Sequence, residues 1–171
     1  APRLFTLSAG ADNFTGGDGN DIFDLAGAQE QLDASLDTLI GGAGLDVLRV
    51  FGSRAVTQLG EARLDALTSI EILDLTNVTG SLDVAVDAGT ASQSDTGALT
   101  IRFNGNPLSL NTGGVTSADQ VVVEGTGTVT LAPGTPGQMV SISDAVGGDV
   151  VTGPSATVVK GGDGNDSITA S

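Results

Sequence analysis

Cysteine, histidine, tryptophan and tyrosine are all absent from this chain, and Lys160 is its single lysine. Without cysteine no disulfide or thiolate metal site can form, and the redox compartment is left open. Without histidine or cysteine, a hydrolase must rely on a Ser–Lys pair or on two carboxylates. Lys160 stands beside a glycine loop, and Glu71 and Asp74 fall on a strand pattern as solvated-face residues, so the expectation is a protein that is not an enzyme and has no small-molecule substrate. The missing Trp and Tyr remove the usual stacking platform for sugars and nucleobases, which counts against a glycan-binding adhesin tip. Positive charge is scarce as well: six Lys and Arg face 21 Asp and Glu, for a net charge of -15, and seventeen of the acids are Asp. Phosphate binding needs a basic footprint, so neither nucleic acid nor an anionic membrane is a fitting partner, whereas cations are. No apolar run approaches the length of a membrane-spanning helix, and Ala1–Gly10 lacks a basic n-region and a long apolar h-region, so no membrane insertion is expected.

What is present points to order. With 171 residues the chain is about one domain long, and 39% of it is apolar with a positive mean hydropathy, which argues against a disordered acidic tail. A period of nine runs through it. Written G-G-x-G-x-D-x-U-x with U apolar, the unit fits in full at 16–24 (GGDGNDIFD), 41–49 (GGAGLDVLR) and 161–169 (GGDGNDSIT). Degenerate copies precede the first two: 7–15 keeps Gly10, Asp12 and Phe14, and 32–40 keeps Asp37 and Leu39 with Ser35 in place of a glycine. Phe5, Phe14 and Phe23 then share one phase and read as core. Between Asp24 and Leu32 lie seven extra residues, 25–31 (LAGAQEQ), which bulge out or form a helical turn without disturbing the phase on either side.

From Val50 onward the glycine signature fades. Short β-rich runs follow at 70–75, 82–86, 99–103, 121–124, 128–131, 139–142, 150–152 and 157–159, with turn signals at Asn104-Gly105-Asn106-Pro107 and Pro133-Gly134. Short strands at this spacing fit a β-solenoid or a sandwich. Leucines at 59, 64 and 67 predict a short helix over 57–67, although Gly60 counts against it.

In the glycine-aspartate unit, paired glycines permit positive φ and a tight turn, and the apolar U residue points inward from a short strand. Such turns expose carbonyl oxygens and add a carboxylate, which are the hard ligands that Ca²⁺ takes, while Mg²⁺ demands a stricter octahedron. An EF-hand or a phosphate-binding loop would need residues that are not here. The three full units resemble the nonapeptide of the RTX, or hemolysin-type calcium-binding, proteins. That resemblance implies a right-handed parallel β-roll in which each repeat is half a turn and each ion sits between loops one full turn apart, held by loop carbonyls and aspartates.

Carried over through the insertion, it implies two sites. One joins Asp21 and Asp46 with carbonyls near Gly16, Asp18, Gly41 and Ala43; the other, where glycines are missing, joins Asp12 and Asp37 beside Gly10. The last repeat supplies Gly161, Asp163 and Asp166 but has no partner loop eighteen residues earlier, since Gly147-Gly148-Asp149 is out of phase. That site is expected to be completed by sequence beyond Ser171, to be completed by another molecule, or to be only partly occupied; in the second case a neighbouring copy's Asp12 or Asp21 loop completes it, and on that ground self-association is expected.

The segments 5–23, 36–48, 69–75 and 157–169 together resemble RTX-type surface-layer and large surface proteins of Gram-negative bacteria. This implies type I secretion, a place on the cell surface and a structural role. The reading is therefore an all-β, mostly parallel β-solenoid with calcium-binding turns over 1–49, a longer-rung β region over 50–160 and a terminal repeat over 161–171, together forming one continuous elongated unit. Its expected function is that of a secreted, calcium-binding building block. The alternative is a β-roll segment of a secreted RTX adhesin, toxin or exoenzyme whose active part lies elsewhere.

Overall fold

In the computed structural model, residues 1–87, 89–90, 98–115, 120–132, 139–143, 150–153, 158–160 and 167–170 are described. Strands dominate, in chain order β1 (Leu4–Thr6), β2 (Asn13–Asp18), β3 (Ile22–Leu25), β4 (Thr38–Ala43), β5 (Val47–Leu59), β6 (Leu67–Thr68), β7 (Ile72–Asp87), β8 (Ala98–Asn104) and β9 (Leu108–Gly114). They continue with β10 (Gln120–Thr126), β11 (Val129–Ala132), β12 (Met139–Ser143), β13 (Val150–Gly153), β14 (Val158–Lys160) and β15 (Ser167–Ala170). These segments alternate apolar and polar residues, so one side chain in two faces inward; in β8, Leu99, Ile101 and Phe103 are buried between partly or fully exposed neighbours.

Every pairing between these strands is parallel, and each strand pairs with its counterpart one turn on, which makes the chain a β-solenoid. One face runs β1-β3-β5-β7-β8-β10-β12-β14, a second stacks β2-β4-β6, and β9 and β11 extend the second half of β7. Leu4 pairs with Ile22, a step of 18, the length of two nonapeptides. Ile22 pairs with Val47 and Val47 with Ile72, steps of 25. The step reaches 28 from Ile72 to Thr100, then falls to 22 at Ala98 with Gln120 and 19 at Gln120 with Met139. The seven inserted residues account for the first change, and Gln29–Gln31 among them form a 3-10 turn as the spacing allowed. Gln29 Oε1 accepts the Gln58 N–H (2.7 Å), and Arg63 Nη1 donates to the carbonyls of Gln29 and Leu32 (2.8 and 3.0 Å), so the next rung binds the bulge down.

The short helix expected over 57–67 is present as a single turn, Glu61–Leu64: Thr57–Leu59 end β5, and Leu59, Leu64 and Leu67 reach the core from a strand, a helical turn and a second strand. The runs expected at 70–75 and 82–86 are not separate strands: 72–75 and 82–86 belong to one 16-residue strand. Strand structure also covers 50–59 and 108–114, where glycines at 52, 113 and 114 obscure the pattern. Gly80, inside β7, has φ 97, and a Cβ there would strike the carbonyl of Arg54; it turns a corner within a strand, with register shifts in the facing β5. The strand β5 also runs across the junction expected at 49–50. The turn at 104–107 is present, with Gly105 at φ 73, and the Pro133–Gly134 turn lies outside the described residues.

Inside, Phe5 stacks between Phe14 and Phe23 at centroid distances of 5.0 and 4.9 Å, tying the two faces together at the first turn. The stack passes into a continuous column of buried aliphatics that includes Leu48, Leu73, Ile101 and Val123. Outside, the register sets Asp24, Arg49, Asp74, Arg102 and Glu124 side by side, alternating in sign over five rungs. Arg49 Nε and Nη2 donate to the two Asp24 oxygens (2.8 Å each), and Arg102 Nε donates to Glu124 (2.9 Å). Each such pair contributes only about 0.2–1 kcal/mol, yet a one-residue slip would send the whole column into the core.

Replacing the fully buried Leu73, central in this column, by alanine is expected to lower stability by about 2–5 kcal/mol in urea denaturation. A change under about 1 kcal/mol would show that the column does not carry the fold.

Candidate metal centre

At the loops between the two faces, the aspartates of the repeat turn inward. Asp21 and Asp46 are 0% exposed, Asp12 6% and Asp37 4%. The structure brings the expected pairs together at steps of 25: the Asp12 N–H donates to Asp37 Oδ1 (2.9 Å), and the Asp21 N–H donates to Asp46 Oδ1 (2.7 Å). The ladder extends both ways on the second side. Asp21 Oδ1 accepts the Arg3 N–H (2.6 Å), and the Asp46 N–H donates to Glu71 Oε2 (2.9 Å). Glu71, assigned above to a solvated face, is in fact 2% exposed. The spacing Asp21, Asp46, Glu71 is the signal by which the sequence identifies it.

The two sides differ in what remains for a ligand. Around Asp12 and Asp37 every carboxylate oxygen has a protein donor: Ser8 N–H and Oγ serve Asp12 (2.7 and 3.1 Å), while Asp12 N–H and Asp33 N–H serve Asp37 (2.9 and 2.7 Å). Gly10, exposed on this side, donates its N–H to Ser8 Oγ (3.2 Å). Ser35, in the glycine position, donates to Asp33 from both Oγ and N–H (2.7 and 2.8 Å), and these bonds hold the Asp33 carboxyl below its ordinary range. Side chains and backbone thus do there what glycines leave undone.

On the Asp21 side, Oδ1 is bound to Arg3 N–H, but Oδ2 is buried and has no hydrogen-bond partner. It lies at Gly16, where an added Cβ would collide with both Asp21 Oδ2 and the carbonyl oxygen of Gly41. One turn on the arrangement recurs, for a Cβ on Gly41 would strike Asp46 Oδ2 and the Ser69 carbonyl. Two hard oxygens from loops one turn apart therefore converge where only glycine leaves room. Of the other expected ligands, the Ala43 carbonyl accepts the Gly19 N–H (2.8 Å), the Asp18 carbonyl accepts the N-terminal ammonium (3.1 Å), and the Asp18 side chain is exposed. Among the described residues no three acidic side chains gather at one point, so a cation here would have to take most of its oxygens from the backbone. Ca²⁺, with six to eight oxygen ligands, suits such a set.

No family model, curated protein or solved structure matches this chain. The site is accordingly weighed on its own chemistry. Gly161, Asp163 and Asp166 lie outside the described residues, but β15, which follows them, pairs with β13 at Val150 and Ser167. That step is 17, so the strand after Asp149 stands beside the strand after Asp166. The step is one residue shorter than two nonapeptides, and the loops that precede these two strands lie outside the described residues. Elsewhere, an open groove of about 310 Å³ is lined by Gln58, Gly60, Ala62, Arg63, Asp83 and Ala85. Its charged lining is Arg63 and Asp83.

Asp21→Asn keeps an acceptor for the Arg3 N–H, removes a buried charge and presents an N–H₂ toward the Gly41 carbonyl. In chelator this variant is expected to be more stable than the parent, and Asp21→Ala less stable by about 1–3 kcal/mol. Denaturant melts check it; an Asn variant that loses as much as the Ala variant contradicts the role given to Oδ2.

Proposed function

We propose that the chain is a calcium-binding structural module of a bacterial surface or extracellular matrix, whose first turns complete their fold when Ca²⁺ enters between the loops Gly16–Asp21 and Gly41–Asp46. The observation that carries this reading is the buried, unpartnered Asp21 Oδ2 beside the Gly41 carbonyl. A carboxylate out of water without a full set of partners costs several kcal/mol, and a divalent cation offsets that cost. Asp21 Oδ2 and the Gly41 carbonyl would hold the ion, whose positive charge would offset the buried carboxylate. In its absence, a net charge of -15 and glycine-rich loops with high ordering entropy favour a loose chain. Such a chain suits export from a calcium-poor cytosol by type I secretion and folding outside, where modules of this kind bind calcium at about 10⁻⁴ to 10⁻³ M.

Self-association belongs to the same reading. Leu36, Leu45 and Val56, away from the ends of the chain, are exposed apolar side chains that a second copy would cover.

Calcium at about 1–10 mM is expected to raise the melting temperature of the parent chain and to leave Asp21→Asn unmoved, with Mg²⁺ at equal concentration ineffective. A parent melt that ignores calcium throughout that range contradicts the reading. Light scattering is expected to show larger species with calcium than in chelator; a monomer in both at high concentration removes the assembly part alone.

A further inference from the structure

Where the solenoid widens, a strand edge is left open in the middle of the chain. β3 pairs with β5 only over Ile22–Leu25 and Val47–Val50, whereas β5 follows β7 as far as Leu59. Among the described residues, therefore, β5 from Phe51 to Leu59 has a strand on one side alone. The inserted segment stands on the other side and reaches this edge at two points: the Gly27 carbonyl accepts from Arg54 Nη2 (3.1 Å), and Gln29 Oε1 accepts the Gln58 N–H (2.7 Å). Between these ties Ala55 and Val56 are exposed, Val56 at 44%.

The second tie fixes the direction of the backbone. The Gln58 N–H points away from β7, and backbone groups alternate in direction along a strand, so the Val56 N–H and carbonyl point to the same open side. Val56 also begins a regular stretch. Val56 to Leu59 face Ser81 to Val84 one for one, after a bulge at Arg54 and Ala55 where three steps of β5 match two of β7. The bulge bounds the open edge before Val56 and Gln29 bounds it after, so a strand laid there makes few bonds.

The surroundings suit a second copy of this chain. A net charge of -15 sets copies against one another over most of their surface, but here Arg54 and Arg63 each stand 3.9 Å from a single exposed acid, Glu30. Bases and an acid side by side are self-complementary across a two-fold axis. An antiparallel pair centred on Val56 would exchange both backbone bonds between the two copies of that residue and set their side chains against each other. We propose that the edge of β5 at Val56 is a docking site for the same edge of a second copy, related by a two-fold axis, and that Gln29 limits its reach by occupying the next N–H. The inference gives a surface to the self-association proposed above and does not depend on calcium.

The chain has no cysteine, so Val56→Cys introduces a single thiol; in such a pair the two Cα atoms would stand about 5.5 Å apart, within the span of a disulfide. Under mild oxidation this variant is expected to form a covalent dimer about tenfold or more faster than Ser109→Cys, at an exposed position on β9. Adding Gln29→Ala frees the Gln58 N–H on both copies and is expected to speed the reaction about tenfold. Gln29→Glu keeps an oxygen acceptor and is expected to leave the rate as in Val56→Cys alone. A Val56→Cys chain that crosslinks no faster than Ser109→Cys overturns the docking site, and a Gln29→Ala change without effect overturns the limit placed on it. Fast crosslinking at position 56 in a protein whose melt ignores calcium overturns the calcium reading and leaves this inference standing.

Discussion

On one side of the first turns the loops are tied by one kind of bond: a backbone N–H at the loop of one turn donates to a carboxylate carried by the next, from Arg3 to Asp21 to Asp46 to Glu71. The bond sets the spacing of the turns and satisfies an N–H that the loop would otherwise leave buried. Its cost is a file of acids in a dry interior. Where serine and aspartate replace glycine, around Asp12 and Asp37, the remaining oxygens are satisfied by local N–H and hydroxyl donors. Where the glycines are kept, Asp21 Oδ2 is left over and faces a carbonyl instead. The same glycines that make the loop tight thus remove the side chains that would have neutralised it, and a cation becomes the natural complement.

The rest of the architecture follows from keeping that ladder in register while the cross-section changes. The turn grows from 18 residues to 25 and 28 and then narrows to 22 and 19. Added length is taken up at the rim, by the 3-10 turn at 29–31 and the helical turn at 61–64, which bond to each other through Arg63 and through the Ala34 N–H to the Ala62 carbonyl (2.9 Å). The inner stack is undisturbed, and the outer column from Asp24 to Glu124 holds the same face in phase without any metal.

Much of this was legible in the residues. The repeats and their aspartates could be read because the signal is local, and the 25-residue pairing of Asp12 with Asp37 and Asp21 with Asp46 could be read because two phased motifs bracket the insertion. Phe5, Phe14 and Phe23 gave the core by the same phase. Glu71 was hidden, since its loop is shorter by three residues, has no glycine and substitutes Glu for Asp. The long strands β5 and β7 were hidden for another reason: glycines at 52 and 80 look like breaks between strands but act as corners inside them. The alternating charges become visible only when the turn lengths are known, because no fixed spacing connects Asp24, Arg49, Asp74, Arg102 and Glu124. The 17-residue step that sets β15 beside β13 escapes a search for multiples of nine.

The apolar core is continuous through these turns, with Phe23, Leu39 and Leu48 as buried as Leu73 and Ile101, and the first turns add a file of buried acids to it. The central claim is that calcium completes the first turns at Asp21. A crystal structure grown with millimolar Ca²⁺ tests it most directly. The account predicts an ion between Gly16–Asp21 and Gly41–Asp46, with Asp21 Oδ2 and the Gly41 carbonyl about 2.3–2.6 Å from it. Asp21 Oδ2 bonded to a protein donor, with no ion between those loops at that calcium concentration, would contradict it.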